Sequence, residues 1–314
     1  MQAILAVNEF DLDGIEISAK LKREYPEKEL FAHVLGYVGR INESELKNID
    51  TPSYRGTDSI GKTGLEKFYE SKLLGQVGSQ NVETNARGRV MRTLGENQPT
   101  AGNNLILTLD KEIQLTAFNE FQGRKGALVA LDVKSGEILA LMSSPSYDPN
   151  LFISGITQEK YSALLKSDDK PLFNRAVAGQ YPPGSTIKPL VALAALEQGF
   201  DPNKRINCDG SYEIKDTSTE KGTKSFHCWK EKGHGPMNMK EAIQKSCDVY
   251  FYTVAREIGI NKIAEVCKRF GLGEKVFDNF VEELSGTVHN KQWKKKNIVY
   301  NLICLLYKSD SADE

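Results

Sequence analysis

Ser185 and Lys188 stand three residues apart in YPPGSTIKPL (181–190). A serine hydroxyl at its free pKa is a poor nucleophile, but a lysine within hydrogen-bond reach, kept neutral by its surroundings, can take its proton. If a helix starts just after Pro183-Gly184, both side chains point to one face. The helix N-terminus then adds a backbone N–H and positive potential for a developing oxyanion. The plainer alternative is that Ser185 caps the helix and Lys188 is solvated, and Ser-x-x-Lys alone does not choose between them.

A second group lies further on. Cys208 in INCDG, Cys228 and His234 in FHCWKEKGHG, and Cys247 in SCD offer three thiolates and one imidazole, a set that suits tetrahedral zinc. His227 is a rival ligand. The alternatives are a Cys208–Cys228 disulfide, or separate buried thiols with a structural histidine. The five cysteines of the 314-residue chain are too few for a disulfide scaffold. Cys267 falls on the apolar side of a helix and reads as core; His33 and Tyr37 read as packing residues.

These groups must be positioned by regular elements. Residues 1–105 are polar and turn-rich, with a short candidate strand GIEIS (14–18) and helical patches ESELKNI (43–49) and GLEKFYESKLLG (64–75). ENQPTAGNN (96–104) reads as a linker, because Pro and clustered Gly and Asn favour turns. GALVALDV (126–133) and EILALMSS (137–144) are apolar runs joined by Lys134-Ser135-Gly136, which predicts an antiparallel hairpin; their near-continuous apolarity predicts cover on both faces. Thr186 to Gln198 reads as a helix closed by Gly199. Asn238 with Glu241 forms a capping-box pattern opening a helix at Met239, and further helices fit Tyr250–Glu257 and Lys262–Phe270. A hairpin followed by a largely helical block, preceded by an irregular α+β region, points to an α/β (α+β) fold with helices packed on a sheet.

Composition narrows the function classes. With 41 basic and 42 acidic side chains, no global charge bias points to nucleic acid or an anionic membrane surface. No stretch reaches the roughly 18 apolar residues of a membrane-spanning helix; the longest candidate, Leu302 to Tyr307, is far shorter. The N-terminus MQAILAVNEF does not have the layout of a secretory signal, so the chain is expected to carry neither an anchor nor an export address.

NRAVAGQYPPGSTIKPL (174–190) closely resembles the nucleophile segment of class B penicillin-binding proteins. FDLDGIEIS (10–18), AHVLGYVGRI (32–41), GKTGLEKFYESKLLG (61–75) and SYDPNLF (146–152) resemble that family's elongation type. The resemblance runs from near residue 1 to about residue 293. It implies a penicillin-binding, serine transpeptidase-like fold whose antiparallel sheet is incomplete here, preceded by an extended α+β pedestal of the dimerisation type. The implied organisation is a pedestal at 1–105, the N-terminal part of a transpeptidase domain at 106–292, and a divergent tail at 293–314.

The implied activity is serine acyl transfer on peptidoglycan stem peptides during cell-wall elongation, with β-lactams acylating the same serine. Ser185 matches the nucleophile and Lys188 its base. The family's second motif matches Ser246-Cys247-Asp248: Ser246 would relay a proton to the leaving amine and Asp248 would fix Lys188 or the substrate backbone. The plainer role for Ser246 and Asp248 is to cap the helix near Tyr250. No cofactor is implied for catalysis. Some elongation-type relatives resemble the Cys208, Cys228, His234, Cys247 arrangement with a metal held by Cys, His and Asp, which makes Asp209 a reserve ligand and the metal a structural zinc beside the second motif. Implied partners are stem peptides, β-lactams, an elongation glycosyltransferase and shape-determining scaffold proteins; nucleic acid is not among them. The implied location is the periplasmic face of the inner membrane.

One departure stands out. The family's third motif, Lys-Ser/Thr-Gly, follows the nucleophile, whereas Lys62-Thr63-Gly64 precedes it, in a segment where glycines shape a turn before a helix and the lysine is expected to be solvated. No Lys-Ser/Thr-Gly follows residue 248. Departure from the family sets in at HNKQWKKKN (289–297), where a reading-frame slip in adenine-rich lysine codons is the expected cause and the surrounding nucleotide sequence is its test. Losing one oxyanion donor costs about 2.7–4 kcal/mol, so the expectation is little or no transpeptidation by this chain and an exposed sheet edge prone to aggregation. Two other classes stay open: a binding module acting through the pedestal, and a serine β-lactamase, which shares Ser-x-x-Lys but not a pedestal of this length.

Overall fold

A computed structural model describes residues 22–49, 54, 59–86, 90–215, 222–277 and 280–288. The predicted strand at 14–18, the tail from 293 and Cys304 lie outside the described residues. Packing divides the chain into two compact units, Met1–Ala176 with Asn279–Glu282 and Val177–Asp278 with Glu283–Glu314. No helix among the described residues is long and apolar enough to cross a membrane.

In the first unit, α1 (Ala32–Leu35), β1 (Val38–Arg40), α2 (Glu43–Leu46) and β2 (Ser59–Gly61) precede α3 (Gly64–Phe68) and α4 (Glu70–Leu73). The strands β1 and β2 pair antiparallel, Val38 facing Gly61. Gly64 opens α3 with φ +59°, and a Cβ there would meet the Val34 carbonyl oxygen at 2.6 Å, so the turn after Lys62-Thr63 demands glycine. Lys62 is not solvated as predicted: its Nζ lies 2.5 Å from Glu45 Oε2, because the capping box of α2, with Asn42 as cap, holds the Glu45 carboxylate beside it. His33 and Tyr37 are packing residues, edge-on to Tyr147, and Tyr37 stacks on Phe152 at 4.0 Å.

The strands β3 (Ser79–Thr84) and β4 (Val90–Asn97) pair as a hairpin exposed on both faces. The predicted linker at 96–104 therefore begins as strand: Glu96 and Asn97 pair with Gln80 and Ser79, and those ladder partners outweigh the local turn preference. The helix α5 (Lys111–Phe121) is capped by Asp110, which accepts from the backbone of Glu112 and Ile113. The predicted hairpin forms as β5 (Gly126–Leu131) and β6 (Ile138–Ser144). The buried Gln114 of α5 hydrogen-bonds the backbone of Leu141 through both ends of its amide. Cover on both faces is not found for β5: its exposure alternates, and Val129 and Leu131 are about half exposed. Among the described residues this sheet has only two strands, so β5 pairs with β6 alone there.

The second unit builds its core on three helices, α8 (Lys188–Glu197, after the short helices α6, Asn150–Ile153, and α7, Gln158–Lys166, of the first unit), α10 (Asp248–Ile258) and α11 (Ile260–Arg269). Val191 and Ala195 of α8, Tyr250, Phe251 and Val254 of α10, and Ile263 and Val266 of α11 are buried together, spaced three and four apart as helices that share one core require. Cys267 is part of this core. Between α8 and α10 lie β7 (Ile206–Cys208), β8 (Ser211–Lys215), β9 (Thr223–His227), β10 (Gly235–Met237) and α9 (Met239–Gln244). The strand β7 pairs with β10 and β8 with β9, both antiparallel. The predicted capping box is present, Asn238 and Glu241 each accepting from the other's backbone N–H.

Candidate active site and cysteine cluster

The segment around Ser185 is not the single helix that the pattern predicts. Gly184–Ile187 form a 3-10 turn that leads into α8 at Lys188. In a 3-10 turn side chains three apart eclipse one another, so the tighter turn aligns Ser185 and Lys188 more directly than an α-helix would. Lys188 is buried while Ser185 is partly open. The Lys188 Nζ lies 3.0 Å from Ser185 Oγ, 3.0 Å from Ser246 Oγ, 2.9 Å from the Ser246 carbonyl oxygen and 2.6 Å from Asp248 Oδ1. Ser246 Oγ donates to Ser185 Oγ at 2.9 Å. All four predicted residues thus meet, with Lys188 at the centre and the two hydroxyls forming a triangle with its nitrogen.

The turn that brings Ser246 there is unusual. Ser246 has φ +49°, a left-handed conformation that costs a non-glycine residue on the order of 1–2 kcal/mol. The cap of α10 is Cys247, whose Sγ accepts from the Tyr250 N–H at 3.5 Å, rather than Ser246 or Asp248. With Cys247 in that role, Asp248 begins the helix and its carboxylate is free to face Lys188. Burial pushes the Asp248 carboxyl up, and its hydrogen bond to Lys188 pulls it down.

The cysteine cluster reaches the same turn through Cys247. Cys208 ends β7, Cys228 follows β9, His234 precedes β10 and Cys247 caps α10. A Cβ on Gly233 would meet the Cys208 carbonyl oxygen at 2.1 Å, so glycine there is what lets the His234 loop close on Cys208. One ligand atom from each of the four residues lies within 4.8 Å of the others. His234 Nδ1 is 3.6 Å from Cys208 Sγ and 3.5 Å from Cys228 Sγ. A tetrahedral zinc with bonds of about 2.0–2.3 Å has ligand atoms roughly 3.3–3.8 Å apart, which the two contacts to His234 Nδ1 match, and three thiols with one imidazole are a donor set that zinc takes. The hydrogen bond from Cys247 pushes the Cys228 thiol well below its ordinary range and the Cys247 thiol up. Cys208, Cys228 and Cys247 are free thiols, which leaves the disulfide alternative unformed. Neither His227, exposed on β9, nor the reserve ligand Asp209, whose carboxylate accepts from the Ser211 N–H, joins the group.

One residue at this site has no sequence signal. The backbone N–H of Trp229 donates to Asp248 Oδ2 at 3.2 Å, and its indole Nε1–H to the Lys245 carbonyl at 3.0 Å. A main-chain donor leaves no mark in residue type.

Residues 126–306 match the penicillin binding protein transpeptidase domain. The chain belongs to that family. Residues 1–107 match the penicillin-binding protein dimerisation domain. Among curated proteins, the chain is 45% identical over 288 residues to the peptidoglycan D,D-transpeptidase MrdA of Acinetobacter baumannii, covering 91% of this chain and 42% of that protein. It thus spans less than half the length of that relative. Solved structures are similar as well, among them two of penicillin-binding protein 2. Penicillin-binding protein 2 of Pseudomonas aeruginosa in complex with WCK 5153 matches at TM-score 0.79 and 39% identity, over 94% of this chain and 61% of that one. The complex between penicillin-binding protein 2 and MreC from Helicobacter pylori matches at TM-score 0.85 and 34% identity, over 98% of this chain and 57% of that one. The α/β (α+β) fold read from the sequence is the fold of this transpeptidase family, with small, open sheets among the described residues.

Proposed function

We propose that this chain carries the nucleophile side of a peptidoglycan D,D-transpeptidase active site, acting in cell-wall elongation and shape maintenance. The observation that carries the reading is the triangle of Ser185 Oγ, Lys188 Nζ and Ser246 Oγ, with sides of 2.9–3.0 Å. Ser185 Oγ attacks the carbonyl between two terminal D-alanines of a stem peptide and passes its proton to Lys188 Nζ. Ser246 hands the proton on to the departing amine, so D-alanine leaves and an ester to Ser185 remains. The amine of a neighbouring strand then takes the acyl group. Asp248 holds Lys188 in place through the 2.6 Å contact of its Oδ1 with the lysine Nζ. β-Lactams acylate the same serine.

In this proposal residues 1–105 serve as the pedestal and 106–292 as the N-terminal part of the transpeptidase domain, at the periplasmic face of the inner membrane. Cys208, Cys228, His234 and Cys247 would hold a structural zinc. Such an ion would tie Cys247 of the second motif to Cys208, Cys228 and His234, and would be structural rather than catalytic.

A fluorescent penicillin tests the reading. Covalent label on Ser185, absent from Ser185→Ala, supports it. A folded chain that stays unlabelled even when extended to supply a Lys-Ser/Thr-Gly strand overturns it.

A second reading, a binding module acting through the pedestal, is favoured by the β3–β4 hairpin, which exposes Val90, Met91 and Leu94. The similarity to a penicillin-binding protein 2 that is in complex with MreC supports a scaffold partner of that kind, alongside the elongation glycosyltransferase. Capture of the scaffold protein by the chain, lost in Met91→Asp/Leu94→Asp, is the expected result; capture unchanged by that pair removes the hairpin from the interface.

A further inference from the structure

The segment Lys245-Ser246-Cys247-Asp248 makes a turn that its own residues do not favour. Ser246 sits at φ +49°, and conformations of this kind persist only where the surroundings over-determine them. The turn is nevertheless what aims Ser246 Oγ and Asp248 Oδ1 at Lys188. The end of α9 closes the backbone around Ser246, whose N–H donates to the Ile243 carbonyl while the Cys247 N–H donates to the Ala242 carbonyl, as at helix ends with a left-handed residue; the Lys245 carbonyl and the Asp248 carboxylate are held from outside.

Trp229 reaches both. Its backbone N–H donates to Asp248 Oδ2, the carboxylate oxygen that Lys188 does not use, and its indole N–H donates to the Lys245 carbonyl. The ring is edge-on to His234, with centroids 5.2 Å apart at 68°. Trp229 also follows Cys228 directly, so the loop that carries it is set by the cysteine cluster. Little of this is explained by burial, because the side chain is 58% exposed. A large apolar ring left in solvent while its one polar atom is spent on a main-chain carbonyl is a geometry with a specific target.

We propose that Trp229 is a positioning residue that clamps the Lys245–Asp248 turn from both ends and thereby orients Ser246 and Asp248 on Lys188. It touches none of the reacting atoms. Its backbone bond fixes the carboxylate so that Oδ1 alone faces Lys188, and its indole bond stops the turn from relaxing out of the left-handed conformation. The proposal rests on the acyl-transfer reading of Ser185, and the test separates the two.

Two variants remove the indole bond. Trp229→Phe keeps an aromatic ring against His234, and replacing Trp229 with its benzothiophene isostere keeps the full ring shape without the N–H. Two measurements are made on the 314-residue chain. One is acylation by a fluorescent penicillin, resolved into reversible binding and the acylation step; the other is the 13Cε resonance of Lys188 in lysine-labelled protein, assigned by its loss in Lys188→Arg. Each variant is expected to slow the acylation step about tenfold, the effect of one hydrogen bond lost from a positioned turn, with reversible binding unchanged and the Lys188 resonance displaced. A wild-type rate and an unmoved resonance overturn the clamp. If the 314-residue chain takes no label, the acyl-transfer reading is decided by the extended chain and the clamp by the resonance alone: displaced in the isostere, the clamp stands; unmoved, it falls. If Trp229→Phe loses stability together with activity, the isostere decides in the same way.

Discussion

Lys188 and Asp248 form an ion pair of 2.6 Å whose side chains are 3% and 8% exposed. So deep a pair gains less from attraction than it loses in hydration unless its remaining bonding groups are satisfied. Here they are: Ser185, Ser246 and the Trp229 N–H take up the rest. The pair is therefore a geometric device that holds the lysine beside the serine, and its stability cost shows only when one half is removed.

Asp248→Ala strands the lysine in a dry site. Removing one partner of a buried pair costs about 3–5 kcal/mol, and this loss is expected in urea unfolding of Asp248→Ala. Lys188→Met/Asp248→Leu, which removes both charges, is expected to recover most of it. A single variant as stable as the wild type would show that the pair is open to water in solution.

His33 is expected to set an acid limit on stability. Burial lowers its pKa from the ordinary 6.5 to about 4, so the unfolded chain binds a proton that the folded chain refuses. Its contribution is present above pH 6.5 and is lost as pH falls through about 4, a span worth ~3 kcal/mol at 1.36 kcal/mol per unit. His33→Phe keeps an aromatic ring edge-on to Tyr147 and is expected to flatten unfolding free energy across that window. A slope between pH 4 and 6.5 equal to that of the wild type would contradict the assignment.

Purified protein is expected to hold one zinc per chain by metal analysis, with no disulfide by thiol titration. Stripping the ion at neutral pH is expected to lower the unfolding midpoint, since metal affinity for the folded site is folding free energy. Cys228→Ser is expected to lose most of the metal, and Asp209→Ala none of it. A Cys208–Cys228 disulfide in metal-free native protein would replace this picture.

Much of the site was legible because it is local or because residue types carry it. Ser185 and Lys188 are separated by one turn, and the thiol and imidazole set names its own chemistry. The helix start marked by Asn238 follows from a side chain that satisfies an orphan N–H group, whereas the start at Asp110 has the same cause but was not read from the sequence. Less legible were features decided by neighbours distant in the chain. Cover on both faces of β5 was predicted from apolarity, but apolarity records what a strand can bury and not what is packed on it. The linker at 96–104 was misjudged where Ser79 and Gln80 supply a ladder.

By itself the sequence determined which residues can do chemistry here: a serine with a lysine one turn on, a second Ser-x-Asp, and four soft ligands. Only the tertiary structure decided that Ser185, Lys188, Ser246 and Asp248 share one nitrogen, that Cys247 rather than Ser246 caps the helix, and that Trp229 holds the turn. The reason is physical. Reactivity belongs to side-chain type, which is written in the chain, whereas a strained turn, a buried charge pair and a main-chain hydrogen bond exist only when distant segments pack closely enough to hold them.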